Sequence, residues 1–342
     1  MRANKLLSEI KKCLLSDKFT RAICVLGEPG CGKTSIVQQV ASSLDDWGYI
    51  EKHMPTMLVE DFGVPLVDSS SNVLRYLLPD WYPAEDRTDI PDRGVLCFDD
   101  RTQANQDLQK VLANIIQART LHGVPLKKGW RIVSTGNRLE DRSGVVKQLL
   151  HLNDRESKLT FETVLEDWAD WALNNNVLQQ VISFLYFKPN LLHDFDPKRD
   201  INATPRGWVE GVSNILDVGI SKDALPEFIK GAIGEGASAE FMSYLEICEQ
   251  MPDPLRILRE PKIYPTEDEV KSFEMSVKYA LSGALAEHVD EKTIGNMIVF
   301  LERLEPEFGV VALNYVSRKK PELQETDAYN AWIVKNQQYI IR

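Results

Sequence analysis

No apolar run in this chain approaches the ~18–20 residues that a helix needs to cross a bilayer. The opening residues, Met1-Arg2-Ala3-Asn4-Lys5, lead into a polar amphipathic segment and lack the apolar core of a signal peptide. Cysteine is scarce. Five residues (Cys13, Cys24, Cys31, Cys97, Cys248) form no C-x-x-C pair and no metal-ligand spacing. Such thiols suit a reducing compartment, so a cytoplasmic location is expected. Low-complexity tracts and internal repeats are also missing. Positive charge is in the minority, with 40 Lys and Arg against 51 Asp and Glu and a net charge of −11. That balance disfavours tight nonspecific binding to nucleic acid, which needs a basic footprint. One stretch, with Arg119, Lys127, Lys128 and Arg131, leaves a local basic patch open.

With 342 residues, 43% of them hydrophobic and 27% charged, the chain can hold two domains, or one with a large appendage. Its dominant feature is Gly27-Glu28-Pro29-Gly30-Cys31-Gly32-Lys33-Thr34-Ser35, which fits G-x-x-x-x-G-K-[ST]. The glycines allow backbone N–H groups to turn inward around phosphates. Lys33 supplies a point charge for the β- and γ-phosphates, and the Thr34 hydroxyl is a ligand for Mg²⁺. Ala22-Ile23-Cys24-Val25-Leu26 before the loop reads as a buried strand. A helix from about Lys33 to Leu44 follows, its positive end aimed at the same place. The strand–loop–helix context favours nucleotide-phosphate binding over a bland glycine turn. Cys31 beside Lys33 raises the question of redox sensing. Cys24 and Cys97 read as small core residues.

Residues 3–15 place Leu6, Leu7, Ile10 and Leu14 at helical spacing. Thr56-Met57-Leu58-Val59 reads as a short strand, and Asp68 to Arg93 as turn-rich loop with room for one short helix or hairpin. Gly94-Val95-Leu96-Cys97-Phe98-Asp99-Asp100 is an apolar strand ending in two carboxylates. Alone that is a weak signal. Downstream of a phosphate loop it is the form of a Walker B strand: Asp99 would hold the Mg²⁺ hydration shell, and Asp100 would orient and deprotonate the attacking water. A helix is expected over 103–119, a turn around His122-Gly123-Val124-Pro125, and a buried strand at Trp130–Thr135. Asn137, just past that strand, would sit near the γ-phosphate and position the water; otherwise it is a turn residue. A helix ending near 152 and a last strand at Leu159–Glu162 complete about five β–α units. The expected fold is α/β: a three-layer αβα core with a mostly parallel five-stranded sheet.

From Val164 the pattern turns helical. Trp168, Ala169, Trp171 and Ala172 recur at one helical face, and paired tryptophans at this spacing are core anchors more often than a ligand cage. Pro205 suits the first turn of a helix, and Thr266-Glu267-Asp268-Glu269 is a capping box. The domains are expected at 1–162, a nucleotide-binding core, and 163–342, helical throughout.

Together GEPGCGKT, FDD, STGN, a downstream NDR and TPRGW resemble the MoxR-like branch of the AAA+ ATPases, of bacterial and phage type. The likeness runs from residue 15 to about 320 and includes the lid-like stretch around Trp168 to Trp208. It implies ATP and Mg²⁺ bound at the phosphate loop, with Gly27, Gly30, Gly32, Lys33, Thr34 and Ser35 in the loop positions and Asp99 as the magnesium aspartate. It implies Asn137 as sensor 1 and Arg206 as a sensor-2 arginine from the lid. Arg155 takes the position of an arginine finger, the charge donated to a neighbouring subunit's nucleotide. It further implies a homo-hexameric ring that remodels a partner protein, often one with a von Willebrand A-type domain. Two departures stand out. The family usually has Asp-Glu where this chain has Asp99-Asp100, which draws the second carboxylate back and favours slow hydrolysis. Asp154 beside Arg155 offers a resting ion-pair partner. Two alternatives stay open: a nucleic-acid motor or loader, tied to the basic stretch, and an ATP-switched scaffold with negligible turnover, tied to Asp100.

Overall fold

The computed structural model describes residues 1–141, 144–146, 148 and 154–340. The helix expected to end near 152 falls outside the described residues. The chain divides into two compact units, Met1–Thr163 and Val164–Arg342.

In chain order the first unit contains α1 (Ala3–Leu15), β1 (Ala22–Leu26), α2 (Lys33–Ser42), β2 (Trp47–His53), β3 (Val64–Asp68), β4 (Val73–Leu77) and β5 (Arg93–Asp99). Then come α3 (Gln106–Ala118), β6 (Thr120–Leu121), β7 (Val124–Pro125), β8 (Gly129–Gly136) and β9 (Glu156–Thr160). Five strands form one sheet in the order β2-β5-β8-β1-β9, and every pairing is parallel. Strand side chains alternate between faces, and the apolar residues divide accordingly. Ile23, Val25, Val95, Cys97 and Val133 pack with Leu6, Ile10 and Leu14 of α1 and Ile36, Val37 and Val40 of α2. Ala22, Leu96, Phe98 and Ile132 pack with Leu108, Leu112 and Ile115 of α3 on the other side. The result is a three-layer αβα core with a fully parallel sheet, as expected.

Two strands lie elsewhere than the sequence pattern places them. The second strand is Trp47–His53, and Thr56–Val59 instead lies among short 3₁₀ turns, Met54–Thr56 and Val59–Phe62. Strand β2 is an edge strand with mixed polarity, so it lacks the apolar signature of its neighbours. The last strand begins at Glu156 and ends at Thr160, in register with Ala22–Leu26 of β1, and the charged Glu156 buried in it breaks the apolar pattern. The turn-rich region carries an antiparallel hairpin, β3–β4, that starts earlier than expected. Asp68 closes its turn by accepting from the backbone N–H groups of Ser70 and Ser71. A smaller hairpin, β6–β7, occupies the expected turn at His122.

The second unit is helical throughout and packs two cores. One gathers Trp168, Phe184, Trp208, Phe241 and Tyr244; the other gathers Leu281, Leu285, Phe300, Phe308 and Trp332. Trp168 is buried and Trp171 packs against the same core, so the tryptophan pair anchors helices. The capping box at Thr266–Glu269 forms, with Thr266 Oγ1 accepting from Glu269 N.

Candidate nucleotide site

All the phosphate-loop chemistry gathers at the carboxyl ends of the parallel strands, where α/β sheets bind ligands. The loop leaves β1 at Gly27 and enters α2 at Lys33. Gly32 has φ +99°, in the left-handed region that favours glycine, and a Cβ there would meet nothing within 4 Å. The backbone conformation, not crowding, therefore demands glycine, and it leaves the helix N-terminus open to an anion. Lys33 is buried and its ammonium group is fully engaged. It donates to Gly27 O at 3.1 Å, to Glu28 O at 2.8 Å and to Asn137 Oδ1 at 2.8 Å. Cys31 lies against Gly27, and burial pushes its thiol pKa up. A buried, protonated thiol is a poor redox sensor, so Cys31 acts as packing within the loop.

Asp99 ends β5 and is the hub of the site. Its Oδ1 accepts from the hydroxyls of Thr34 at 2.5 Å and Thr135 at 2.6 Å, and its Oδ2 lies 3.0 Å from Nδ1 of His53. Burial alone would raise its pKa. The hydrogen bonds from Thr135, Thr34 and His53 outweigh burial, so Asp99 titrates below the ordinary carboxylate value. It is therefore ionised and oriented. Asp100 follows in the left-handed region at φ 48°, with its backbone N–H donating to Thr135 Oγ1 at 3.0 Å. Thr135 thus ties both carboxylate residues to the neighbouring strand β8.

Asn137 sits one residue beyond β8, its side chain fixed by Lys33 and its N–H donating to Thr102 Oγ1 at 3.0 Å. Thr102 packs so closely on Gly136 that a Cβ there would lie 2.4 Å from its methyl group. Arg138 bridges the loop residue Glu28, at 2.8 Å, and Asp141, also at 2.8 Å.

The structure thus brings together Lys33, Thr34, Asp99, Asp100 and Asn137. Sequence reasoning missed Thr135, His53, Thr102 and Arg138. The signal for Thr135 was weak, a hydroxyl at the carboxyl end of a buried strand that also carries Arg131 and Ser134. His53 carried none, because its strand was misplaced. Arg155 lies half-buried in the turn that enters β9, beside the exposed Asp154. Arg206 is exposed at the start of a helical segment in the second unit.

The basic stretch is largely consumed internally. Arg119 donates to Lys127 O and Trp130 O, Lys127 pairs with Asp92 at 2.9 Å, and Arg131 donates to Lys128 O and Ser16 O. Of the four cations only Lys128 projects into solvent.

Residues 22–155 match the AAA domain, dynein-related subfamily. Residues 22–155 are an AAA domain. Its sheet and the helical region after it have the AAA+ arrangement of an α/β core followed by helices. No curated protein matches the chain. Among solved structures, the chain is similar to a candidate ATPase from Cytophaga hutchinsonii, at 13% identity and a TM-score of 0.35, covering 96% of this chain and 87% of that one. It is also similar to NtrX from Brucella abortus, at 14% identity and a TM-score of 0.40, covering 98% of this chain and 67% of that one.

The AAA domain implies a nucleotide and, usually, Mg²⁺. The donors fit a hard divalent cation beside a phosphate. The Thr34 hydroxyl and the ionised Asp99 are adjacent, and His53, Asp99 and Asp100 bring ligand atoms within 4.8 Å of one another.

Proposed function

We propose that this chain is a MoxR-like AAA+ ATPase that hydrolyses ATP between subunits of a ring and uses the cycle to remodel a partner protein in the cytoplasm. The observation that carries the reading is the closed set Lys33–Asn137 and Thr34–Asp99–Thr135, assembled from three separate segments at the carboxyl ends of the inner strands. Glu28, Pro29, Cys31 and Ser35 complete the loop. Lys33 would contact the β- and γ-phosphates. Thr34 and Asp99 would hold Mg²⁺, which when bound offsets the charge that develops on the transferred phosphoryl group. Asn137 would orient the water and Asp100 would accept its proton as the water oxygen bonds phosphorus and the bond to ADP breaks. Arg155 would serve the neighbouring subunit's nucleotide, and Arg206 would report the nucleotide state to the helical region. Asp100 in place of Glu makes turnover slow and the ATP-bound assembly long-lived.

A protein client is favoured over nucleic acid by two surfaces. The basic stretch is internally paired, as described above. The β3–β4 hairpin exposes apolar side chains on both strands, among them Leu66 at 50%, Val67 at 72%, Leu74 at 58% and Leu77 at 62%. Exposed apolar surface of this kind marks contact with other proteins. Tyr76 stacks on His122 at 3.8 Å, which braces this hairpin on β6–β7. A partner with a von Willebrand A-type domain is the client that the family resemblance offers. The ring is tested by measuring particle mass with and without ATP. Growth to a hexamer in wild type, and a failure of Lys33→Ala to grow, is the expected result. A monomer in every condition, or turnover stimulated by DNA and by no protein, overturns the reading.

A further inference from the structure

Arg101 and Glu156 are wholly buried and pair at 2.8 Å in the interior of the first unit. Arg101 also donates to Gln148 Oε1 at 2.7 Å, and Glu156 Oε1 accepts from Ser134 Oγ at 2.9 Å. A buried ion pair is expensive to desolvate, and apolar residues of equal volume often do as well for stability. Its position along the chain indicates a further purpose. Arg101 directly follows Asp100, and Glu156 directly follows Arg155. The pair is therefore a bolt between the residue that would activate water in a subunit's own site and the residue that would serve the next subunit. A second restraint acts on the same turn from outside. Arg21 donates to the carbonyl oxygens of Asp154, at 2.5 Å, and Glu156, at 3.1 Å, and so clamps the backbone on either side of Arg155. Arg155 lies in the turn between the two carbonyls that Arg21 holds, so the backbone that these groups fix bears directly on its placement.

We propose that Arg101, Glu156 and Arg21 are positioning residues that aim Arg155 at the neighbouring subunit's nucleotide. The pair makes that aim depend on the Walker B end of the same subunit. This rests on the reading of Arg155 as a finger acting between subunits. A displacement of about 1 Å in a catalytic charge is enough to lower a rate on the order of 10²-fold, so loss of the bolt need not unfold anything to matter.

The test separates finger delivery from the state of the donor's own site. Subunits carrying Asp100→Asn donate a finger but cannot turn over; subunits carrying Arg155→Ala can turn over but donate none. Mixing the two is expected to restore hydrolysis. Adding R101M/E156M to the Asp100→Asn donor is expected to lower the kcat of the mixture at least ~10-fold with KM unchanged, while the donor still assembles. Arg21→Ala in the donor, a surface change that spares the core, is expected to act in the same direction and covers the case in which the buried double variant does not fold. Full recovery with the Arg21→Ala donor and with any folded double-variant donor overturns the proposal. If Arg155→Ala alone hydrolyses like wild type, it is instead the finger reading that fails, and the proposal falls with it.

Discussion

Replacing Asp100 by Glu sets two effects of different size against each other. The longer side chain advances the carboxylate by about 1 Å, the scale on which a misplaced catalytic group loses on the order of 10²-fold in rate. If that distance limits hydrolysis, restoring it lowers the barrier by about 2.7 kcal/mol. The opposing effect is conformational. Asp100 holds φ 48° and ψ 36°, a left-handed conformation that Asp tolerates through local hydrogen bonding and that Glu adopts at a penalty of about 1 kcal/mol. That penalty applies equally before and during the reaction, so it lowers stability without touching the barrier. For a unit of this size it amounts to a Tm lower by ~2–4 °C. Phosphate release at saturating ATP and a thermal melt on the same preparation measure both. The expected outcome for Asp100→Glu is a kcat higher by one to two orders of magnitude, an unchanged KM and the slightly lower Tm. An unchanged or reduced kcat in a folded variant refutes the claim that carboxylate reach sets the rate.

Three further outcomes follow from particular contacts. Arg101→Met alone leaves Glu156 charged and buried, so denaturant titration should show a loss of ~3–5 kcal/mol, whereas R101M/E156M should recover most of it. Because Asp99 titrates below its ordinary value of 3.8, its ionised form contributes stability that is fully present above that value and lost as pH falls through the lower folded-state pKa. The stability difference between wild type and Asp99→Asn, followed by urea titration against pH, should accordingly be constant near neutrality and shrink in acid; a difference that grows on acidification contradicts the assignment. Leu66→Ser with Leu74→Ser changes exposed side chains only, so each should shift stability by no more than ~0.5 kcal/mol while abolishing the remodelling of a protein client, read against unchanged ATP binding.

Much of the site was legible because its chemistry is written in short local patterns. Gly27 to Ser35 and Val95 to Asp100 combine an apolar strand with a functional end, and both segments lie where the pattern places them. The sheet's central strands were clear for the same reason: strands covered on both faces read as continuous apolar runs. Edge strands gave no such run. In β2, Trp47, Tyr49 and Glu51 are only half-buried, so a mixed sequence concealed the strand that delivers His53 to Asp99. In β9 the misleading residue is Glu156, a charge whose burial makes sense only once Arg101, 55 positions earlier in sequence, is known to face it. Thr135 and Thr102 escaped notice because a hydroxyl in a strand or turn has no fixed meaning until its partner is known. The basic stretch from Arg119 to Arg131 failed in the opposite sense: four cations suggested a patch, yet backbone carbonyls and acids absorb three of them.

The central claim is that Lys33, held at the centre of the loop by Gly27, Glu28 and Asn137, exists to meet the phosphates of ATP. Its most direct test is ATP turnover by wild type against Lys33→Ala, at equal concentration and with Mg²⁺ present. Wild type should release phosphate steadily. The variant should fall by about 10²-fold or more, since a charged hydrogen bond to phosphate is worth ~1.5–3 kcal/mol and Lys33 would make one to each of the β- and γ-phosphates. Equal phosphate release from the two proteins, or none from either together with no ATP bound, would contradict the account.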